Sequence, residues 1–201
     1  MLDLAVVALT FGPIFVVELP DKTFIAALVL STRYRPLLVW VGVGLAFALQ
    51  TLIAVTAGSF VGLLPTPAVQ AATALVFVTG AVILFRAAAD ADEGEKQRED
   101  EYTARAGDPR SGWRAVGSSF LVLFAAEWGD LSQLMTVSRS AEFGEPLSVF
   151  VGAWGALLAV SGLAVLVGRL LLSRIRLSLL HYVGSAVCVV LAAYTVHQLL
   201  S

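Results

Sequence analysis

The sequence predicts an all-α integral membrane protein: six transmembrane helices arranged as two inverted three-helix repeats. Three observations carry that expectation. The 201 residues are 58 % hydrophobic and 14 % charged, where soluble domains average roughly 25 % charged, and the mean hydropathy is +0.86. Apolar runs of the length that crosses a bilayer occur six times, near 4–31, 36–62, 67–87, 115–138, 146–171 and 176–199. A charged motif inside the first run returns inside the fourth.

Each element follows from composition. The second, third, fifth and sixth runs are built from Leu, Val, Ala and Gly. Between the third and fourth lies "DADEGEKQREDEYTARAGDPR", charged and poor in aliphatic residues, which is expected to be a mobile solvated loop. The chain therefore divides into a first repeat (1–88), a charged loop (89–113) and a second repeat (114–201). Odd-numbered connections hold eleven of the 13 Lys and Arg, whereas the opposite side holds Arg139 and a span holds Lys22. The positive-inside rule then places the central loop in the cytoplasm and both termini outside; the host membrane expected, with the transporter reading below, is a bacterial inner (plasma) membrane.

Composition also excludes. A net charge of −2 gives no footing for nucleic-acid binding. Cys188 is alone, so neither a disulfide framework nor a Cys-based metal site can form within the chain. The first residues carry an acid and no basic segment, so no signal peptide is expected.

The repeat is visible in the polar residues. An offset of 109 carries Glu18 onto Glu127, Asp21 onto Asp130 and Thr23 onto Ser132; an offset of 110 carries Pro36 onto Pro146 and Thr51 onto Ser161. Three spans per copy is an odd number, so the second copy runs through the membrane upside down. Inverted repeats are the architecture of many secondary transporters, with a site near the midplane at the repeat interface.

The motif's chemistry is specific. Glu18 and Asp21 are three residues apart, on one face of a helix, and Glu127 and Asp130 repeat the spacing. Pro20 has no N–H, which kinks the helix and frees the Val16 carbonyl as a further oxygen ligand. Gly129 loosens the second copy at the matching place. Thr23 and Ser132 add hydroxyls and Gln133 an amide. Four carboxylates with no Cys or His beside them suit hard divalent cations, as a metal site of Glu18, Asp21, Glu127 and Asp130. Offset only by Lys22, four ionised acids would leave about −3 in a poorly solvated place, so the empty site should hold protons that an entering cation displaces. Lys22 is matched by Leu131, so the repeat does not demand it; a counter-ion role and a transport role stand level. Gln50, Thr51 and Ser161 either line the path or bond between helices. His181 and His197 sit towards the ends of the last span and are not read as ligands.

At these residues the chain resembles the Gdt (transmembrane protein 165) family. "ELPDKT" and "EWGDLSQ" are similar to its paired E-x-G-D-[KR]-[TS] signatures, and the likeness spans essentially the whole chain. The resemblance implies a Mn²⁺/Ca²⁺ transporter acting as a cation/proton antiporter. It implies Glu18, Asp21, Glu127 and Asp130 as ligands, supported by Thr23 and Ser132. Two positions depart: Pro20 stands where the family usually has Gly, and Leu131 replaces the usual basic residue.

The leading expectation is thus a secondary transporter of divalent cations, Mn²⁺ and/or Ca²⁺, in exchange for protons. No enzymatic activity and no cofactor are expected; the partners are the transported ions, protons and the bilayer. The alternative is a small exporter of the lysine-exporter type, moving an amino acid or another metal cation, against which four acids argue. The apolar outer faces permit a monomer or a homodimer.

Overall fold

The computed structural model describes residues 2–19, 21–106, 112–172 and 177–200. They form eight α-helices: α1 (Leu4–Glu18), α2 (Lys22–Arg33), α3 (Pro36–Val61), α4 (Thr66–Ala106), α5 (Trp113–Ala126), α6 (Leu131–Phe143), α7 (Pro146–Leu172) and α8 (Leu177–Leu200). Four stretches are long and apolar enough to cross a membrane: Pro36–Val61, Thr66–Ala89, Pro146–Leu166 and Ser178–Leu200. The α1 and α2 helices meet that test as a pair bent by 68°, and α5 is a shorter apolar helix. The runs read from the sequence as first and fourth spans are therefore each two helices, parted at the acidic motif. Broken helices survive at membrane depth where protein or a polar cavity satisfies the freed backbone groups. Asp3 caps α1 by accepting from the Ala5 and Val6 N–H groups, at 2.8 and 3.3 Å. Pro36 and Pro146 open α3 and α7, where a missing N–H costs nothing.

The charged segment departs from expectation. It is not a loop from Ala89: α4 continues to Ala106, a helix of 41 residues. Ala, Glu, Lys, Gln and Arg are strong helix formers, and the sequence spaces Asp92 and Lys96, and Glu101 and Arg105, four residues apart. At 1.5 Å per residue the part beyond Ala89 is about 25 Å long. Arg139 also departs. It lies within α6, 4 % exposed, paired with Glu142 at 2.8 Å and stacked over Phe77 and Phe143.

Packing centres on α3 and α7, which contact each other, while α1 lies on α7, α5 on α3, and α4 along α8. Two glycines permit close approaches of α1 to α7 and of α5 to α3. A Cβ on Gly152 would stand 2.7 Å from the Val7 carbonyl oxygen and 2.9 Å from Thr10 Cβ. A Cβ on Gly42 would meet the Val116 carbonyl and stand 2.9 Å from Ser119 Cβ. Indole N–H groups stitch α3 to α7: Trp40 donates to the Leu158 carbonyl at 3.0 Å and Trp154 to the Gly44 carbonyl at 2.9 Å. The outer faces of α4 and α8 expose Leu75, Val82, Phe85, Val189 and Val190, apolar surface suited to lipid.

One end of the bundle gathers several chain segments. The Asp3 N–H donates to Ser148 Oγ at 2.9 Å, which places the start of α1 beside the start of α7. A recess of about 230 Å³ is lined by Gly62, Thr66, Glu142, Phe143 and Gln198, so the α3–α4 turn, the end of α6 and the end of α8 share one region.

Gly42→Ala and Gly152→Ala should each destabilise the protein by about 1–3 kcal/mol, because the new methyl meets backbone. Gly12→Ala and Gly117→Ala, with nothing within 4 Å, should be neutral or mildly stabilising. Thermal unfolding in detergent reads the contrast; equal shifts at all four sites would refute it.

Candidate metal site

Both breaks fall inside the acidic motif. In the first pair, Glu18 is the last residue of α1 and Asp21 immediately precedes α2. In the second, Glu127 caps the end of α5 and Asp130 caps the start of α6. Each pair thus supplies one glutamate at a helix C-terminus and one aspartate at a helix N-terminus. The C-terminal ends of α1 and α5 present partial negative charge, which favours a cation between them, and the N-terminal ends of α2 and α6 favour the aspartates' negative charge.

Among the described residues, Glu18, Asp21, Glu127 and Asp130 form one group in which one carboxylate oxygen from each lies within 4.8 Å of the others. A calcium-sized ion bonded at about 2.3–2.6 Å allows opposite ligand oxygens to stand about 4.6–5.2 Å apart. The four acids are therefore close enough to share a single ion. Glu18 and Glu127 are 1 % and 2 % exposed, while Asp21 and Asp130 are half-buried. Burial of this kind, without an aliphatic reason for it, is what charge-handling sites in membranes show.

Hydroxyls and amides order the acids. Thr23 Oγ1, fully buried, donates to Glu18 Oε1 at 2.6 Å, and Ser132 Oγ donates to Asp130 Oδ2 at 3.2 Å. Glu18 Oε2 has no hydrogen-bond partner among the described residues, an oxygen with a lone pair to offer a ligand. The Asp130 side chain does not cap α6. The Gly129 N–H donates to Gln133 Oε1 at 3.1 Å, and Gln50 Nε2 donates to the Phe124 carbonyl at 3.1 Å.

Of the residues singled out by sequence, the structure brings the four acids, Thr23, Ser132 and Gln133 together around the two breaks. Gln50 forms the interhelical bond rather than presenting its amide N–H to a path. Ser161 donates to the Leu157 carbonyl of its own helix at 2.8 Å, and Thr51 is buried in α3. The Val16 carbonyl lies towards α8, 3.8 Å from where a Gly184 Cβ would stand. Pro20 and the Lys22 side chain lie outside the described residues. Gly129 takes φ +78°, a conformation closed to proline, so the glycine and the proline at matching positions are not interchangeable.

What sequence reasoning missed is the bond between Gln50 and Phe124. A signal for it existed: a glutamine deep in an otherwise apolar run must find a partner. The buried Arg139 carried a similar signal, standing near the Glu142 that pairs with it.

A helical membrane protein that draws four carboxylates from two broken helix pairs into one interior cluster is built to handle cations. The chain belongs to the divalent cation/proton antiporter GDT1 family, whose model matches residues 6–92 and 115–201. The second stretch begins and ends 109 residues after the first, the offset that relates the two motifs. Relatives include the chloroplast protein PAM71 of Arabidopsis thaliana, 33 % identical, with the match covering 96 % of this chain and 57 % of the relative. GDT1-like protein sll0615 of a Synechocystis species is also 33 % identical, covering 81 % and 82 %. GDT1-like protein 1 of Oryza sativa subsp. indica chloroplasts is 27 % identical, covering 96 % and 62 %. The chain thus spans about three-fifths of the length of those chloroplast relatives. No solved structure matches it.

Replacing Gly129 tests the break directly. Gly129→Val should lower stability by about 1–2 kcal/mol through the left-handed backbone alone, since nothing crowds the site, and Gly129→Asn should cost less. Unfolding temperatures that rank Asn at or below Val would contradict this.

Proposed function

We propose that the chain exchanges divalent cations, Mn²⁺ or Ca²⁺, for protons through a site formed by Glu18, Asp21, Glu127 and Asp130. The observation that carries this reading is the convergence of four carboxylates within 4.8 Å in the interior of a member of an antiporter family. All-oxygen donors favour hard cations over those that seek nitrogen or sulfur. Thr23 and Ser132 orient the acids and Glu18 Oε2 is available to the ion. Releasing two protons for each divalent ion keeps the site's charge constant, so loading and unloading move no net charge into or out of the site at membrane depth.

The architecture we infer is six crossings in two inverted repeats. Several contacts support it. Gly42 meets Val116 and Ser119 as Gly152 meets Val7 and Thr10, and these sets are related by the offsets that relate the motifs. Phe11 stacks on Phe15 at 5.6 Å, and Phe120 on Phe124 at 5.5 Å. The chain's start, the α3–α4 turn, the end of α6 and the end of α8 fall at one end, as six alternating crossings require. Counting each broken pair as one crossing puts the acids near mid-membrane, since α1 and α2 are about 22 and 18 Å long. In this orientation the charged end of α4, which carries Lys96, Arg98 and Arg105, faces the cytoplasm and both termini the opposite side.

Flux in proteoliposomes containing a pH dye tests the proposal. Mn²⁺ and Ca²⁺ should move with opposing protons, and Glu18→Gln and Asp130→Asn should each lower the rate by about 100-fold or more, as loss of a charged ligand implies. Undiminished flux in both variants would move the site elsewhere. Cation flux without opposing protons would end the exchange reading.

A further inference from the structure

The two breaks are closed by different means. In the first, the Leu19 N–H donates to the Phe15 carbonyl at 3.1 Å, so the backbone of α1 satisfies itself. The matching carbonyl in the second is that of Phe124, which in an unbroken helix would accept from Trp128. It accepts instead from the Gln50 amide of α3, at 3.1 Å. Four residues before Gln133, the Gly129 N–H is taken by the Gln133 Oε1 at 3.1 Å. The residue matching Gly129 is Pro20, which has no N–H to satisfy, and the residue matching Gln133 is Phe24.

The counterparts of the two glutamines complete the pattern. An offset of 110 carries Gln50 onto Val160. Phe24 and Val160 belong to one apolar cluster with Ala27 and Ala164, at 1 % and 0 % exposure. Both breaks share a backbone bond from the aspartate N–H to the glutamate carbonyl, at 3.1 and 3.4 Å; beyond it, one half closes with backbone and apolar packing and the other with two amide hydrogen bonds. Gln50 is buried, and a buried amide left unbonded is costly, so it is committed to the break it serves; Gln133 is half-buried and its bond to Gly129 is solvent-accessible.

We infer that Gln50 and Gln133 are the positioning residues of the second half-site. They hold the Glu127–Asp130 break in register with Glu18 and Asp21, and so set the affinity for the cation. This rests on the cation-site reading above. Neither glutamine needs to touch the ion: Gln50 acts through the last turn of α5, which ends at Glu127, and Gln133 through Gly129, which precedes Asp130.

The two act with opposite polarity, which makes the inference testable. Gln133 accepts a hydrogen bond and Gln50 donates one. In proteoliposomes with Mn²⁺ as the probe, Gln50→Leu should raise the half-saturating concentration by about 10-fold, the equivalent of one lost buried hydrogen bond, and Gln133→Leu, whose bond is solvent-accessible, should raise it by a smaller factor of about 3. Gln133→Glu keeps an acceptor oxygen and should recover most of that loss. Gln50→Glu sets an acceptor against a carbonyl and should stay as impaired as Gln50→Leu. Amide hydrogen exchange at Gly129 should quicken in Gln133→Leu and return towards wild type in Gln133→Glu, a readout indifferent to transport. Should a leucine variant not fold, the two glutamate variants still decide by their opposite outcomes. Wild-type half-saturation in both leucine variants, or equal behaviour of the two glutamate variants, overturns the inference. If Glu18→Gln in the same series transports like wild type, the cation-site reading fails instead, and the exchange at Gly129 still judges the role of Gln133.

Discussion

Mutual repulsion among the four interior carboxylates is the constraint to which the rest of the structure answers. At the separation their oxygens reach, up to 4.8 Å, two ionised carboxylates repel by roughly 3–4 kcal/mol at an effective dielectric of about 20. Over all pairs the total is of order 20 kcal/mol before the half-buried Asp21 and Asp130 are discounted for solvent screening. That exceeds the roughly 5–15 kcal/mol by which a folded domain is stable. A fold that keeps these acids together must bind something positive between them, a divalent ion or protons, and it cannot hold both in full. The exchange proposed above follows from these electrostatics.

The helical architecture serves that requirement. A continuous helix would stack Glu18 and Asp21 on one face but leave its carbonyls and N–H groups locked in their own ladder. Parting each helix at the motif turns two helix C-termini and two N-termini towards the acids. Such breaks need support, which comes from the tight seam of α1 on α7 and α5 on α3, where Gly152 and Gly42 let backbones meet. The two breaks reach the same end differently. Backbone bonding and the apolar packing of Phe24 serve the first; a glycine in a left-handed conformation and two glutamines serve the second.

Much of this was legible in the sequence, for identifiable reasons. Apolar runs and the doubled E-x-x-D spacing gave the helical membrane class and named the four acids, because both signals depend only on local chemistry. The proline at position 20 announced a disruption, and the matching glycine a second one. The helix beyond Ala89 was misread because charge density was weighed above helix propensity, although nothing between Ala89 and Ala106 stops a helix. The partner of Gln50 could not be read, since it lies 74 residues away on another helix. Arg139 was placed with a connection because its position in α6 is fixed by Phe77, Phe143 and Glu142, contacts that appear once the helices pack.

The most direct test of the central claim is a proton count on binding. Mn²⁺ titrated into the purified protein in weakly buffered detergent solution, with bound metal and released protons measured together, should show one ion per chain. The release should approach two protons per ion, and the affinity should weaken as the pH falls. Metal bound without proton release, or bound equally well after Glu127→Gln, would contradict the account.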